Sequence, residues 1–186
     1  MRKSLQMLVG DVREKARITY ASEGAGAIAK TIAGDGTLSM ALYRLMQGSR
    51  HAGHGVLEMI FNKLNSTLTG CTIGRGAEFG PGFILFHANG VVINGKVRGG
   101  AHVHLQHQVT IGDDLHGRSP SLGSDIHVGA GAKIFGPVSV GDGARVGANA
   151  VVVHDVAADT TVVGIPAKPV RRRDPPVAQA KSNGAT

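Results

Sequence analysis

Aliphatic residues in the second half of the chain recur every six positions. Leu122, Val128, Ile134, Val140, Val146 and Val152 carry one beat. Ile126, Ala132, Val138, Ala144, Ala150 and Val156 carry a second, four residues later in each hexad. An α-helix cannot hold every sixth residue on one face, and an ordinary strand alternates with period two and then turns. A hexad sustained over six repeats predicts short strands joined by corners and wound as a coil. Gly123, Gly129, Gly141 and Gly147 directly follow the aliphatic and read as part of those corners. Three hexads to a turn make a triangular prism of parallel strands. Each turn buries its aliphatics against the turns above and below.

The coil starts near Cys71. Ile73, Phe79 and Leu85 carry the beat, with Ala77 and Phe83 as inner partners. Around Ala88–Val92 the register slips by two. It resumes at Ile93, Gly99, Leu105 and Ile111, with Val97, Val103 and Val109 inside; Gly99 is a weak member of the series. Asp113–Ser121 has no beat and predicts a projecting loop, the kind of insertion that marks a binding face in repeat folds. The beat resumes at Leu122, fades after Val156, and TVVGIPAKPVRRRDPP closes the coil.

Residues 1–67 follow a different rule. Leu5, Leu8, Val9 and Val12 recur at helical spacing, as do Leu38, Leu42, Leu45 and Met46, and then Val56, Leu57, Ile60, Phe61 and Leu64. Thr31–Thr37 reads as a linker, and His51 and His54 fall between helical segments as solvated surface residues. Two or three short helices are expected, packed on one end of the coil where they cover an open strand edge. The expected division is a helical segment (1–67), a β-helix domain (68–170) and a basic tail (171–186).

Composition narrows the partners. With 186 residues there is room for one domain and an appendage. Lys+Arg 20 against Asp+Glu 13 gives +7, a balance suited to an anionic small molecule, nucleic acid or anionic lipid. Aromatics are too scarce for a base-stacking platform, which argues against nucleic acid. The single cysteine, Cys71, makes no internal disulfide and reads as a small buried hydrophobe in a reducing compartment. No leader-like apolar stretch or membrane-length run appears, so a cytoplasmic location is expected.

The histidines carry the candidate chemistry. His87 and His107 each occupy the third position of a hexad, one turn of the coil apart once the two-residue slip is counted. They should stack on one edge about 5 Å apart, the spacing of neighbouring strands. An imidazole titrating near neutrality can take a proton from an attacking alcohol. The plainer alternative is a solvated ladder of hydrogen-bonding side chains. His102 and His104 occupy other hexad positions and are expected to face other ways. A zinc hydratase of the γ-carbonic anhydrase type needs three converging ligands, and convergence of His102, His107 and His87 within one chain is not expected.

These residues lie in stretches that resemble a known family. GCTIGRGAEFGPGFILFHANGVVING, LQHQVTIG, IHVGAGAKIFGPVSVGDGARVGANAVVVHDV and VVGIPAKPV, in that order, resemble the hexapeptide-repeat acyltransferases, and among them the serine O-acetyltransferases. The resemblance implies a left-handed parallel β-helix, a homotrimer with sites between adjacent prisms, and acetyl-CoA as acyl donor. It makes His87 the general base. It puts Ala130, Arg145 and Ala148 on coenzyme A, with Lys168 and Arg171 in the terminal basic segment near the nucleotide. Three positions depart from the family pattern. Phe86 replaces the acid before the base, Thr72 replaces the carboxylate that orients it, and Ser119 replaces a second histidine after the loop. Phe86 and Ser119 therefore bear on acceptor binding, and His107 stands as the substitute partner of the base.

The expectation is an O-acetyltransferase acting on a small hydroxyl acceptor, with no metal required and with backbone amides near Ile111–Asp113 available to the oxyanion. Serine is one acceptor, and a sugar or polysaccharide hydroxyl is the competing one. A non-catalytic β-helix scaffold is the alternative from another class.

Overall fold

The structure is a computed structural model and describes residues 2–170. The expected basic tail, with Arg171, lies outside the described residues. Very short strands stack into three faces. The first holds Thr72–Ile73, Val92–Ile93, Thr110–Gly112, Lys133–Phe135 and Val151–Val152. The second holds Glu78–Phe79, Arg98–Gly99, Ser121–Leu122 and Ser139–Val140. The third holds Ile84–Leu85, His104–Leu105, His127–Val128, Arg145–Val146 and Thr161–Val163. All pair in parallel until Lys168–Val170 folds back antiparallel on Thr161–Val163.

The register follows the hexads. Lys133 faces Val151, Ser121 faces Ser139 and His127 faces Arg145, each eighteen residues on. Thr72 faces Val92, two residues longer, and Thr110 faces Lys133, five longer across the loop. Both aliphatic beats are buried, but Val156 stands on Val140 and Val162 on Val146, so Val156 falls on the first beat rather than the second and the last turn is shorter than a full eighteen. Gly99 is small for a packing reason. A Cβ there would stand 2.3 Å from the Phe79 ring. That ring stacks on Phe83 at 4.2 Å, and Tyr43 meets both edge-on.

The cap contains four helices, not two or three: α1 (Arg2–Tyr20), α2 (Ala25–Ala33), α3 (Thr37–His51) and α4 (Gly55–Thr69). The additional one is α2, AGAIAKTIA, whose alanines favour helix and whose nine residues carry only Ile28 and Ile32 as large apolar side chains. The expected linker Thr31–Thr37 therefore contracts to the turn Gly34–Gly36. His51 ends α3 rather than lying between helices, with Nε2 3.1 Å from Glu78 Oε1.

The cap covers the open end of the coil, burying Met40, Tyr43 and Met46 in the same core and meeting the strand edge with polar groups. The first turn leaves backbone donors and acceptors without a neighbouring strand, and each needs a partner. Tyr43 Oη accepts from Phe79 N at 3.0 Å and donates to Ala77 O at 3.2 Å. Arg44 donates to Phe79 O and Gly80 O, Asn62 to Ile73 O, and Arg50 to Arg75 O. Asp11 accepts from Gly82 N at 2.8 Å and pairs with fully buried Arg44 at 2.7 Å. This corrects the expected packing face of α1. Its buried residues are Ser4, Asp11, Lys15 and Ala16, while Leu5 and Val9 are exposed. Among the described residues, no helix is long and apolar enough to cross a membrane.

Candidate active site

His87 and His107 sit at the corner between the third and first faces, on successive turns. Their rings lie 5.8 Å apart, nearly perpendicular. Ala130 and Ala148 continue the same column. Gly131 N donates to His107 O at 2.9 Å, and Asn149 N to Ala130 O at 2.8 Å. Both are small, so the corner beyond the histidines carries no bulky side chain at these two positions. Lys168, exposed, pairs with Val163 on the closing strand beyond Ala148.

The partner of His87 comes from the cap. Asp35, in the turn between α2 and α3, places Oδ2 3.0 Å from His87 Nδ1. Its Oδ1 accepts from Gly36 N at 2.7 Å. Gly36 has φ 78° and presses on the coil so closely that a Cβ would lie 2.1 Å from Leu85 O. Only glycine tolerates both conditions. Lys15, on α1, fastens the same turn: its ammonium donates to Asp35 O, to Leu85 O at 2.8 Å and to Thr37 Oγ1 at 3.3 Å. Burial pulls Lys15 down to about 8, against the opposing pull of Asp35. For Asp35, burial pushes the carboxyl up. The hydrogen bonds from His87, Gly36 and Ala88, with the His87 charge, outweigh it and hold the group below its usual 3.8. His107, expected to partner the base, meets it only ring edge to ring face. The one sequence signal for Asp35 was an Asp-Gly turn between two helical stretches.

A cavity of about 170 Å³ opens beside this pair, lined by Lys15, Thr19, Tyr20, Asp35, Phe86 and His87 among others. It has room for about six waters at ~30 Å³ each, the scale of a small acceptor. Phe86 is half-buried there. A larger, mostly apolar cavity of about 470 Å³ between α1, α2 and α3 has no histidine among its described lining residues.

Other expected residues lie elsewhere. Ser119 Oγ donates to Asn94 Oδ1 at 3.1 Å, and the loop leaves the corner between the first and second faces. The amides near Ile111–Asp113 share that corner, one strand away from His87. Thr72 is exposed at the start of the first face. Arg145 lines a cavity on the third face with His102, His104 and His127. His102 and His104 lie off the His87–His107 edge, and both meet one carboxylate: His102 Nδ1 and His104 Nε2 contact Glu14 Oε1 of α1, at 2.8 and 3.0 Å. The cap supplies the carboxylate that both histidines share. Cys71 is buried, and burial pushes its thiol up to about 11, which makes it a poor nucleophile.

A stacked-hexad coil with a histidine–carboxylate pair on one corner has the build of a hexapeptide-repeat acyltransferase, and the chain's similarities agree. It is 36% identical over 140 residues to a serine acetyltransferase of Helicobacter pylori, covering 74% of this chain and 82% of that one. To the Mycobacterium tuberculosis serine acetyltransferase it is 36% identical over 136 residues, covering 72% of this chain and 59% of the relative. The solved serine acetyltransferase of Neisseria gonorrhoeae superposes with TM-score 0.83 at 28% identity, over 92% of this chain and 66% of that one. A serine acetyltransferase solved in complex with CoA superposes with TM-score 0.82 at 25% identity, over 91% and 70%. No family model matches the chain. The chain belongs to the serine acetyltransferase family of left-handed β-helix acyltransferases, and with it to the CoA-dependent O-acetyltransferases.

Proposed function

We propose that this chain moves an acetyl group from acetyl-CoA to the hydroxyl of a small acceptor, with His87 as general base and Asp35 as its anchor. The observation that carries this reading is the 3.0 Å contact between His87 Nδ1 and Asp35 Oδ2. It fixes the tautomer: Nδ1–H donates to the carboxylate, and the Nε2 lone pair is left for the acceptor. The acceptor hydroxyl gives its proton to Nε2 as its oxygen attacks the thioester carbonyl. The tetrahedral intermediate collapses, the C–S bond breaks, and the departing thiolate takes the proton from the imidazolium to leave as CoA thiol. Asp35 stabilises the imidazolium in between. The step needs no metal at His87, and general-base help of this kind contributes about 10²–10⁴ in rate.

The lane past Ala130 and Ala148 suits the narrow pantetheine arm, with positive charge from Lys168 and the Arg171 segment available to the phosphates. Within one chain the loop corner and the His87 corner are separate. Three-fold packing of prisms sets the loop corner of one copy against the His87 corner of the next, and so brings Ser119 and the amides near Ile111–Asp113 to the base. A homotrimer is the assembly this reading requires.

Serine is the first acceptor to test, because the family acetylates it. A sugar hydroxyl is the second reading, favoured by Phe86. A neutral ring on the chamber wall cannot pair with an ammonium, and a lost charge-assisted contact costs about 1.5–3 kcal/mol. A scaffold role gives the His87–Asp35 pair no use. The test is thiol release from acetyl-CoA with serine, homoserine and a panel of sugars. Serine should release thiol fastest, and a faster sugar selects the second reading. No release with any acceptor, together with no thermal stabilisation by millimolar CoA, rejects the enzyme at this corner.

A further inference from the structure

We propose that Glu14, His102 and His104 form a binding site for a divalent transition-metal ion of the Zn²⁺ type, which would staple α1 to the coil. The site shares no residue with the His87–Asp35 pair and stands or falls independently of it. Glu14 lies on the inner face of α1, one turn beyond Asp11. His102 lies at the corner before the third face, and His104 begins a strand of that face. Both imidazole nitrogens meet the same carboxylate oxygen, and the three donor atoms all lie within 4.8 Å of one another.

Two imidazoles and a carboxylate are a ligand set that Zn²⁺ takes, at roughly 2.0–2.2 Å in tetrahedral geometry. Such bonds hold neighbouring donors about 3.3 Å apart. The present contacts of 2.8 and 3.0 Å therefore need to open by only a few tenths of an ångström. On binding, each imidazole presents a lone pair where it now presents N–H, and its proton moves to the other ring nitrogen.

The surroundings are shaped for an ion. The Glu14 and His104 side chains are 12% and 19% exposed, which shelters the carboxylate. His102, at 43%, leaves the outer side open. That side adjoins the cavity of about 330 Å³ bordered by Asp125, His127 and Arg145, with space for a water as fourth ligand. Gly82 clears the floor. A Cβ there would lie 2.7 Å from Glu14 Oε2 and 2.5 Å from His102 Nδ1, and its φ of 74° also selects glycine. The ligands are 88 and 90 residues apart in sequence, so an ion would cross-link cap and coil.

The experiment uses the untagged full chain, stripped with a chelator and titrated with Zn²⁺ by calorimetry and with Co²⁺ by visible absorption. One equivalent per chain, tetrahedral Co²⁺ bands and a raised thermal midpoint are expected. Glu14→Gln and His104→Asn should each weaken Zn²⁺ binding by at least about tenfold to a hundredfold. His154→Asn, elsewhere on the coil, should leave it unchanged. Circular dichroism confirms that each variant keeps its helices. The proposal is overturned if the wild-type chain binds no stoichiometric Zn²⁺ below millimolar concentration. It is equally overturned if either Glu14→Gln or His104→Asn, folded, retains wild-type affinity.

Discussion

The coil and the cap solve the same problem, burial of backbone and side chains, by opposite means. The coil repeats one apolar layer: Val128, Ile134, Val140 and Val146 sit on near-identical neighbours, and each strand finds its hydrogen bonds in the strand above. The cap meets the coil where that repetition stops. It has to satisfy Phe79 N, Phe79 O, Gly80 O, Gly82 N and Leu85 O, and it uses Tyr43, Arg44, Asp11 and Lys15. The coil's stability is therefore spread over many similar contacts, whereas the cap joins the same core through Met40, Tyr43 and Met46 and adds a few specific polar contacts at the strand edge. The chemistry sits on the seam, where a base from the coil meets a carboxylate from the cap.

The comparison breaks first at the buried ion pair. Asp11→Ala should cost about 3–5 kcal/mol, because it leaves Arg44 charged and fully buried without its partner. A loss below about 1 kcal/mol in a denaturant titration would mean that the cap is not held by polar groups. Lys15→Met should cost about 1–3 kcal/mol by leaving Leu85 O without its donor, and it should lower turnover as well, since the Asp35 turn loses its strut. In the coil, Ile134→Val should cost only about 0.5–1.5 kcal/mol, with turnover unchanged. The smallest effect is a pH dependence. Asp35 is held below its usual 3.8, so its contacts stabilise the fold above about pH 4 and are lost as pH falls through the depressed value. The thermal midpoints of wild type and Asp35→Asn should differ slightly near neutrality and converge in acid. A gap that widens as pH falls would reverse the sign and refute the assignment.

The same contrast explains what could be read from sequence. The hexad states the coil outright, because one residue type returns at one interval. The slip at Ala88–Val92 was legible because the aliphatic beat passes from Leu85 to Ile93, two positions longer than a hexad. The cap hid its contacts. Leu5 and Val9 mark an apolar stripe, yet α1 turns Asp11 and Lys15 inward, because a strand edge asks for donors and acceptors rather than methyl groups. Glu14 and Asp35 were illegible for a related reason. Each acts on a histidine of the coil, and only the docking of helices on the first turn brings them there.

The central claim is that His87 removes the acceptor's proton and that Asp35 acts only through it. The most direct measurement is a double-mutant cycle on turnover with His87→Ala and Asp35→Asn, using the acceptor that the panel selects. His87→Ala should lose about a hundredfold or more, Asp35→Asn a smaller factor, and the double variant no more than His87→Ala alone. Wild-type turnover in His87→Ala, or a double variant that loses the product of both factors, would contradict the account.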